Sequence, residues 1–463
     1  MKRLNIRLIS ILVAASVVGG AAVYGIHRWQ VNRHASGLLR RADLAEAEGE
    51  SRKAIAHLSR YVQQRPEDHD AYARMALLQE ASTQDRPLQR REFHATSGLL
   101  EKAIRQNPAH AELRQRTAEF YLRFGRAKDA IAHLQEVSDA DQDAKTGMLL
   151  ARAYVGAANL REAQRVLEAM VGYSATDDAF HIDRATGSDE VSAYTLLASI
   201  YRDERQNASL ADRVMDACVQ ASPQSAAAYL ARGQYRLRVS QTASDEIAKQ
   251  LQAEGEADVR RAAELSPDDA SVIAAIADVE SFLGNLQEAE AWLQRGIRQH
   301  PDNDHMFRLQ AQVALKQRRP QEAAEILRRG LEQRPGSLPL LLMLAEIDLS
   351  TGNLAGTRGA IAQLRTNERY RVLGDFLDAQ VLLAERKWSD ASRQIERLLP
   401  DLMAQRPDLG PQAYTSLAQC YERLGQTDRQ REANRQLLAV KPNSAFCHYS
   451  EARALARLGR PAE

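Results

Sequence analysis

From about residue 35, small, apolar and polar residues recur along the chain with a period near 34 residues. Proline marks the period most clearly, because Pro267, Pro301 and Pro335 lie 34 residues apart. Alignment on these prolines pairs small and aliphatic positions of successive periods: Ala277 with Ala311, Ala289 with Ala323, and Leu293 with Leu327. Small residues at fixed places let two antiparallel helices approach closely. The pattern therefore predicts an all-α chain of repeated helix pairs.

This pattern resembles the tetratricopeptide repeat, whose signature sets a large residue, Leu-Gly or Leu-Ala, Tyr, Ala, an aromatic or aliphatic residue and Pro in a fixed order. Three units carry that order at the following positions: Leu150, Ala151, Tyr154, Ala163, Leu167 and Met170; Tyr194, Leu197, Ala198, Tyr201, Ala211, Met215 and Pro223; Tyr414, Leu417, Ala418, Tyr421, Gly425 and Pro442. The resemblance covers essentially all of the chain after position 34. It implies a right-handed superhelical solenoid of antiparallel helix pairs.

Departures from the period indicate insertions. Extra residues fall near 82–87, and a second surplus at 240–254 predicts a lengthened second helix. A third insertion covers 172–190 and is predicted to be a tolerated surface loop rather than a binding loop.

The predicted organisation has four parts: an N-terminal segment over 1–34, repeats over 35–171, the inserted loop at 172–190, and repeats over 191–463 that end in a half repeat. The last residues fit a first helix followed by the turn phrase of the interior repeats. This favours a native product that continues past Glu463 over a chain that ends on a capping helix.

Residues 8–26 are 19 consecutive residues without a charge, and as a helix they would reach about 28 Å, close to the thickness of a bilayer core. Basic residues precede them, as they also precede the apolar region of a secretory signal peptide. The apolar stretch continues beyond the small residues at which a signal would be cleaved, which favours an uncleaved anchor. The sequence thus predicts one transmembrane helix before the solenoid, with the bulk of a bacterial chain in the periplasm.

Composition narrows the possible functions. The 62 Lys and Arg against 61 Asp and Glu give a net charge of +1, so no global charge favours nucleic acid. The three cysteines, Cys218, Cys420 and Cys447, have no metal-ligand spacing and are expected to be core residues. The sequence contains no HExxH, GxSxG, Walker or GxGxxG motif. We therefore expect no enzyme activity, no cofactor and no metal.

In tetratricopeptide repeats the first helix of each unit lines a concave groove, with its second, fifth, ninth and twelfth positions exposed. The candidate groove contacts at such positions carry both signs of charge: Glu112, Gln115, Glu119, Asp278, His305, Arg308 and Gln312. Family members that clamp a chaperone's C-terminal carboxylate use Asn at the ninth position, and the ninth positions here hold none. The resemblance implies binding of a protein or peptide, without that clamp.

The leading hypothesis is a membrane-anchored, non-enzymatic scaffold that binds protein or peptide partners through the groove. One alternative is a periplasmic adaptor in a polysaccharide synthesis or export assembly. Another, which requires the opposite membrane orientation, is a regulatory subunit of a membrane-associated enzyme. The scarcity of aromatic residues, with 3 Trp, 14 Tyr and 8 Phe, favours peptide over sugar as the ligand.

Overall fold

The computed structural model describes residues 35–83, 90–138, 143–187, 190–441 and 444–457. The chain divides into two compact units, of which unit 1 ends at Ser222 and unit 2 begins at Pro223.

Unit 1 contains ten helical segments and one short hairpin among its described residues. The helices are α1 (35–47), α2 (Ser51–Gln64), α3 (His69–Ala81), α4 (Arg90–Gln106), α5 (Ala111–Arg123), α6 (Ala127–Gln135), α7 (Ala144–Gly156), α8 (Leu160–Val171), α9 (Val191–Ser199) and α10 (Ala208–Ala221). Strands β1 (Tyr173–Ser174) and β2 (Ala179–Phe180) pair antiparallel between α8 and α9.

Unit 2 is helical throughout its described residues. Its helices are α11 (Ala226–Ser240), α12 (Asp245–Leu265), α13 (Ala270–Leu283), α14 (Leu286–Gln299), α15 (Asp304–Lys316), α16 (Pro320–Gln333), α17 (Leu338–Thr351), α18 (Leu354–Leu364), α19 (Glu368–Ala384), α20 (Trp388–Gln405), α21 (Gly410–Leu424), α22 (Thr427–Val440) and α23 (Ala445–Arg457). A 3-10 turn, Pro407–Leu409, precedes α21.

Left-handed turn residues explain why these helices fold back as pairs. The turns after α13, α15, α17 and α19 each hold one residue at positive φ, and these residues lie 34 positions apart: Gly284 (89°), Arg318 (60°), Gly352 (85°) and Arg386 (61°). A left-handed residue ends a helix and redirects the chain within two or three residues. The two arginines adopt this conformation at a cost of about 1–2 kcal/mol each that glycine avoids.

Buried small residues set the contact between the two helices of each pair. Ala277, Ala311, Ala345 and Ala379 follow the same period of 34, and each is at most 1 % exposed. Each of these alanines lies on the first helix of its pair and belongs to the buried core. The prediction of an all-α stack of repeat-type helix pairs is confirmed within each unit.

Signature tyrosines tie a first helix to the helix before it in the chain. Tyr201 donates a hydrogen bond to Glu168 of α8, and Tyr421 donates one to Glu396 of α20. Burial and the neighbouring carboxylate both raise the pKa of each phenol. The tyrosines are thus neutral donors that join successive helix pairs.

The predicted lengthening of a second helix is seen in α12, which at 21 residues is the longest helix among those described. It crosses α11 at two glycines. A Cβ atom on Gly233 would lie 2.8 Å from the carbonyl oxygen of Gly255. Beside this crossing, the buried Asp258 carboxylate accepts hydrogen bonds from Arg232 (2.9 and 2.7 Å) and Arg236 (2.7 Å).

The insertion after α8 contains the β1–β2 hairpin. Gly172 starts it with a φ of +72°, and a Cβ atom there would lie 2.3 Å from the carbonyl oxygen of His181. Arg213 of α10 binds both carboxylate oxygens of Asp178, at 2.9 and 2.8 Å. The described part of the insertion is therefore a folded hairpin that packs on a neighbouring helix.

The prediction of a transmembrane helix before the solenoid is wrong on this structure, and so is the single-pass membrane localisation that depended on it. Within the part of the chain that the structure describes, no helix is both long and apolar enough to cross a bilayer. The two most apolar helices, α13 and α17, have 14 residues each, which is about 21 Å against a bilayer core of about 30 Å. Residues 8–26, on which the prediction rested, lie outside the described residues.

Candidate functional site

A cleft of about 820 Å³ opens in unit 2 across the first helices of successive pairs. It is lined by Arg308 and Gln312 of α15, by Pro339, Leu342, Met343 and Glu346 of α17, by Arg369, Tyr370, Val372 and Leu373 of α19, and by Gln405 and Arg406 at the end of α20. We call it the arginine cleft.

Two arginines of the arginine cleft lack a carboxylate partner among the described residues. Arg308 contacts only the imidazole of His305, with 3.1 Å between Nη2 and Nδ1, and its Nε is buried without a hydrogen-bond partner. Arg369 is exposed and takes part in no ion pair within the described chain. The third, Arg406, is neutralised by Asp408 through two hydrogen bonds of 2.9 and 2.7 Å. The cleft therefore presents uncompensated positive charge.

Glu346 is the one carboxylate that lines the arginine cleft. Its side chain reaches solvent, yet the surrounding protein raises the pKa of its carboxyl by desolvation, which Arg406 only partly opposes. The residue two repeats earlier, Asp278, behaves in the same way. Desolvation raises its pKa, and His305 and Lys316 oppose the change. Raised pKa values at solvent-reaching carboxyls fit side chains that project into a concave surface.

A second cleft, of about 400 Å³, adjoins the arginine cleft because both share Leu342, Glu346 and Leu373. The remaining lining is Leu349, Ser350, Phe376, Leu377, Gln380, Leu409 and Gln412. We call it the leucine cleft, and we call the two clefts together the α15–α21 groove. Leucine and phenylalanine side chains dominate its walls, so it suits an apolar group.

The predicted contacts in unit 2 lie in or near this groove. Arg308 and Gln312 line the arginine cleft. His305 touches Arg308 beside it, and Asp278 on α13 is near enough to His305 to sense its charge. The structure therefore brings Arg308, Gln312 and His305 together.

The predicted contacts in unit 1 share helix α5 but differ in exposure. Glu112 is exposed, and Glu119 is half-buried between Arg116 (3.6 Å) and Lys145 (3.0 Å). Gln115 is buried, and its Nε2 donates to Thr146 Oγ1 at 2.7 Å and to Asp143 Oδ1 at 3.2 Å. Gln115 therefore joins α5 to the start of α7.

We expect Gln115→Ala to destabilise unit 1 by about 1–2 kcal/mol, because it leaves buried polar atoms of Thr146 with fewer partners. Desolvation raises the pKa of Asp143, but the hydrogen bonds from Thr146 and Gln115 outweigh it, so the net pKa is lowered. A lowered carboxyl pKa stabilises the fold above about pH 4 and loses that effect as the pH falls through the folded value. The loss in Gln115→Ala should thus be larger at pH 7 than at pH 3.

Urea unfolding at the two pH values measures this difference. Glu112→Ala is the matched control on the same helix, because Glu112 is exposed. An equal loss at both pH values would show that the hydrogen bond to Asp143 is unimportant.

The described residues contain no group of three or more His, Cys, Asp or Glu that could hold a metal ion. The three cysteines are buried and unpaired by disulfides. Burial raises the pKa of the Cys420 thiol to about 12 and also raises that of Cys447. Neither thiol is poised to act as a nucleophile.

Several groove residues were not among the predicted contacts. Leu342 and Phe376 lie 34 and 68 residues after Arg308, and Gln380 lies 68 after Gln312. Extending the repeat register would have found them. Arg369 and Arg406 do not follow this register, because they lie at the start of α19 and just after the end of α20.

Comparison with family models identifies repeats in several segments of the chain. Three models, each described as a tetratricopeptide repeat, match residues 88–146 and 314–369, residues 274–337, and residues 411–444. Tetratricopeptide repeats are therefore present in both units, and the matched residues of unit 2 include α15, α16 and α17. No curated protein matches the chain.

Solved structures share the helix-pair architecture at low sequence identity. Yeast Tom70 is 12 % identical with a TM-score of 0.40, over 93 % of this chain and 96 % of that chain. A tetratricopeptide repeat protein from Parabacteroides merdae is 12 % identical with a TM-score of 0.38, over 65 % and 93 %. Pseudomonas aeruginosa pilF is 19 % identical with a TM-score of 0.34, over 58 % and 99 %.

Proposed function

We propose that the chain is a non-enzymatic scaffold that binds an extended segment of a partner protein in the α15–α21 groove. One observation carries this proposal: an open cleft with unpaired arginines continues directly into a cleft walled by leucine and phenylalanine. A segment of protein supplies both polar and apolar side chains along one line, and so it can occupy both clefts at once.

A polysaccharide adaptor has less support from the groove. Sugar-binding surfaces need flat aromatic faces, and the lining of the two clefts contains only Tyr370 and the buried Phe376. No observation on the described residues favours a regulatory subunit of an enzyme over a general scaffold.

Selection of a random peptide library on the full chain tests the proposal. The tightest peptide is then titrated against two variants that fill the groove, Gln312→Trp in the arginine cleft and Gln412→Trp in the leucine cleft. Both glutamines are exposed and make no side-chain hydrogen bond within the described chain, so the substitutions should spare the fold. Arg329→Trp, at an exposed position of α16 outside the groove, is the matched control.

We expect each groove variant to weaken binding at least tenfold and the control to bind as the parent does. Circular dichroism and thermal melting establish that all three variants are folded. Recovery of no binding peptide, or equal binding by all variants, would overturn the proposal.

A further inference from the structure

We propose that the segment bound in the α15–α21 groove carries a carboxylate side chain for Arg308 and Arg369 and, two residues away, a large apolar side chain for the leucine cleft. This inference rests on the proposed function and specifies the chemistry of the partner at that site.

The charge of the arginine cleft carries the first half. Elsewhere on the surface of unit 2, arginines have carboxylate partners within the chain: Arg319 contacts Glu290 and Glu322, and Arg365 contacts Asp375 and Asp378. Arg308 and Arg369 have none among the described residues, although they line a cleft. The buried Nε of Arg308 is a donor without an acceptor. A carboxylate from a partner supplies what these arginines lack, through charge-assisted hydrogen bonds.

The shape of the groove carries the second half. Leu349, Phe376 and Leu377 line the leucine cleft, which lies further along α17 and α19 than the arginine cleft. The lining residues of the two clefts are offset by about four to five positions on each helix, which is about 6–8 Å. Two residues of extended chain span about the same distance and place their side chains on the same face. The two binding groups therefore belong at positions i and i+2 in either chain direction.

Glu346 restricts the kind of anion. It lines both clefts, and so a ligand with a second negative charge meets a carboxylate beside the arginines. A singly charged carboxylate suits this arrangement better than a phosphate dianion or a polyanion. A phosphorylated segment is accordingly the competing occupant that the experiment must distinguish.

The peptide selected on the full chain, with both ends blocked, provides the probe. We expect it to contain Asp or Glu two residues from Leu, Ile, Met or Phe. Changing that acid to its amide should weaken binding about tenfold, and changing the apolar residue to Ser should do the same. In Arg308→Gln/Arg369→Gln the acid and amide peptides should bind within twofold of each other, while Arg329→Gln should preserve the tenfold difference.

The outcomes separate the inference from the proposed function. A peptide that Gln312→Trp excludes, but whose acid-to-amide change has no effect, would overturn the inference and leave groove binding in place. Tenfold tighter binding of a phosphoserine peptide than of the acidic peptide would assign the groove to phosphorylated segments and overturn the carboxylate. Loss of the acid dependence in Arg329→Gln would show that the effect is general attraction rather than recognition by the cleft.

Glu346→Gln gives an independent arm. Removing this charge should tighten the acidic peptide severalfold, because a like charge no longer faces the ligand carboxylate, and it should leave the amide peptide unchanged. Glu325→Gln, at an exposed position of α16, is the control. Weaker binding of the acidic peptide by Glu346→Gln would contradict the placement of the carboxylate in this cleft.

Discussion

Ala277→Arg is expected to destabilise unit 2 by several kcal/mol. Ala277 is 1 % exposed and packs in a core with Ala289, Leu293 and Met306. An arginine there must either push α14 away from α13 or bury an unpaired charge, and either outcome is costly. Because each repeat contacts mainly its neighbours, the damage should concentrate between residues 236 and 335.

Hydrogen exchange and limited proteolysis locate the damage, and urea unfolding measures its size. Ala291→Arg is the matched control, because it makes the same change at an exposed alanine on α14 of the same helix pair. Parent-like exchange and stability in Ala277→Arg would mean that the two helices do not touch at this residue.

Gly233→Leu is expected to cost about 3 kcal/mol, at the upper end for an overpacked contact. The first added carbon would meet the carbonyl oxygen of Gly255 at 2.8 Å, and Val259 at 3.0 Å, so α11 and α12 must separate. Separation also disturbs the hydrogen bonds from Arg232 and Arg236 to the buried Asp258.

Gly359→Leu controls for the change of residue type. Gly359 is in α18, and a Cβ atom there would have no neighbour within 4 Å. Leucine should therefore stabilise that helix by about 0.5–1 kcal/mol, because glycine has a lower helix propensity. Urea unfolding should give opposite signs for the two variants. The same sign for both would show that the close approach at Gly233 does not limit side-chain size.

The repeat was predictable because burial imposes it on the sequence. Ala277 and Ala311 must be small wherever two helices cross, so their spacing shows in the sequence alone. The turn position is less strict, since Arg318 and Arg386 occupy a conformation that Gly284 satisfies at no cost. A pattern of glycines alone would have missed half of these turns.

The groove was only partly predictable because its two ends depend on helix length. Arg308 and Gln312 follow from the repeat register. Arg406 lines the cleft because α20 has 18 residues, four more than α14 or α16, and the turn that follows it is a 3-10 turn. A shift of that kind breaks the period of 34, and residues beyond it cannot be placed by counting.

Gln115 shows the converse limit. Its position in the register is that of a groove contact, yet the side chain is 7 % exposed and binds Thr146. The sequence does not reveal this, because Thr146 lies on the next first helix and the two residues meet only in the stacked repeats.

Position-specific photo-crosslinking tests most directly whether the α15–α21 groove is the binding surface. A photoreactive phenylalanine analogue is placed in the full chain at Gln312, Gln412, Ala291 or Arg329, and each protein is irradiated with the selected peptide. Crosslinks at 312 and 412, with none above background at 291 and 329, are the predicted result. Crosslinks of equal yield at 291 or 329 would contradict a groove-bound partner.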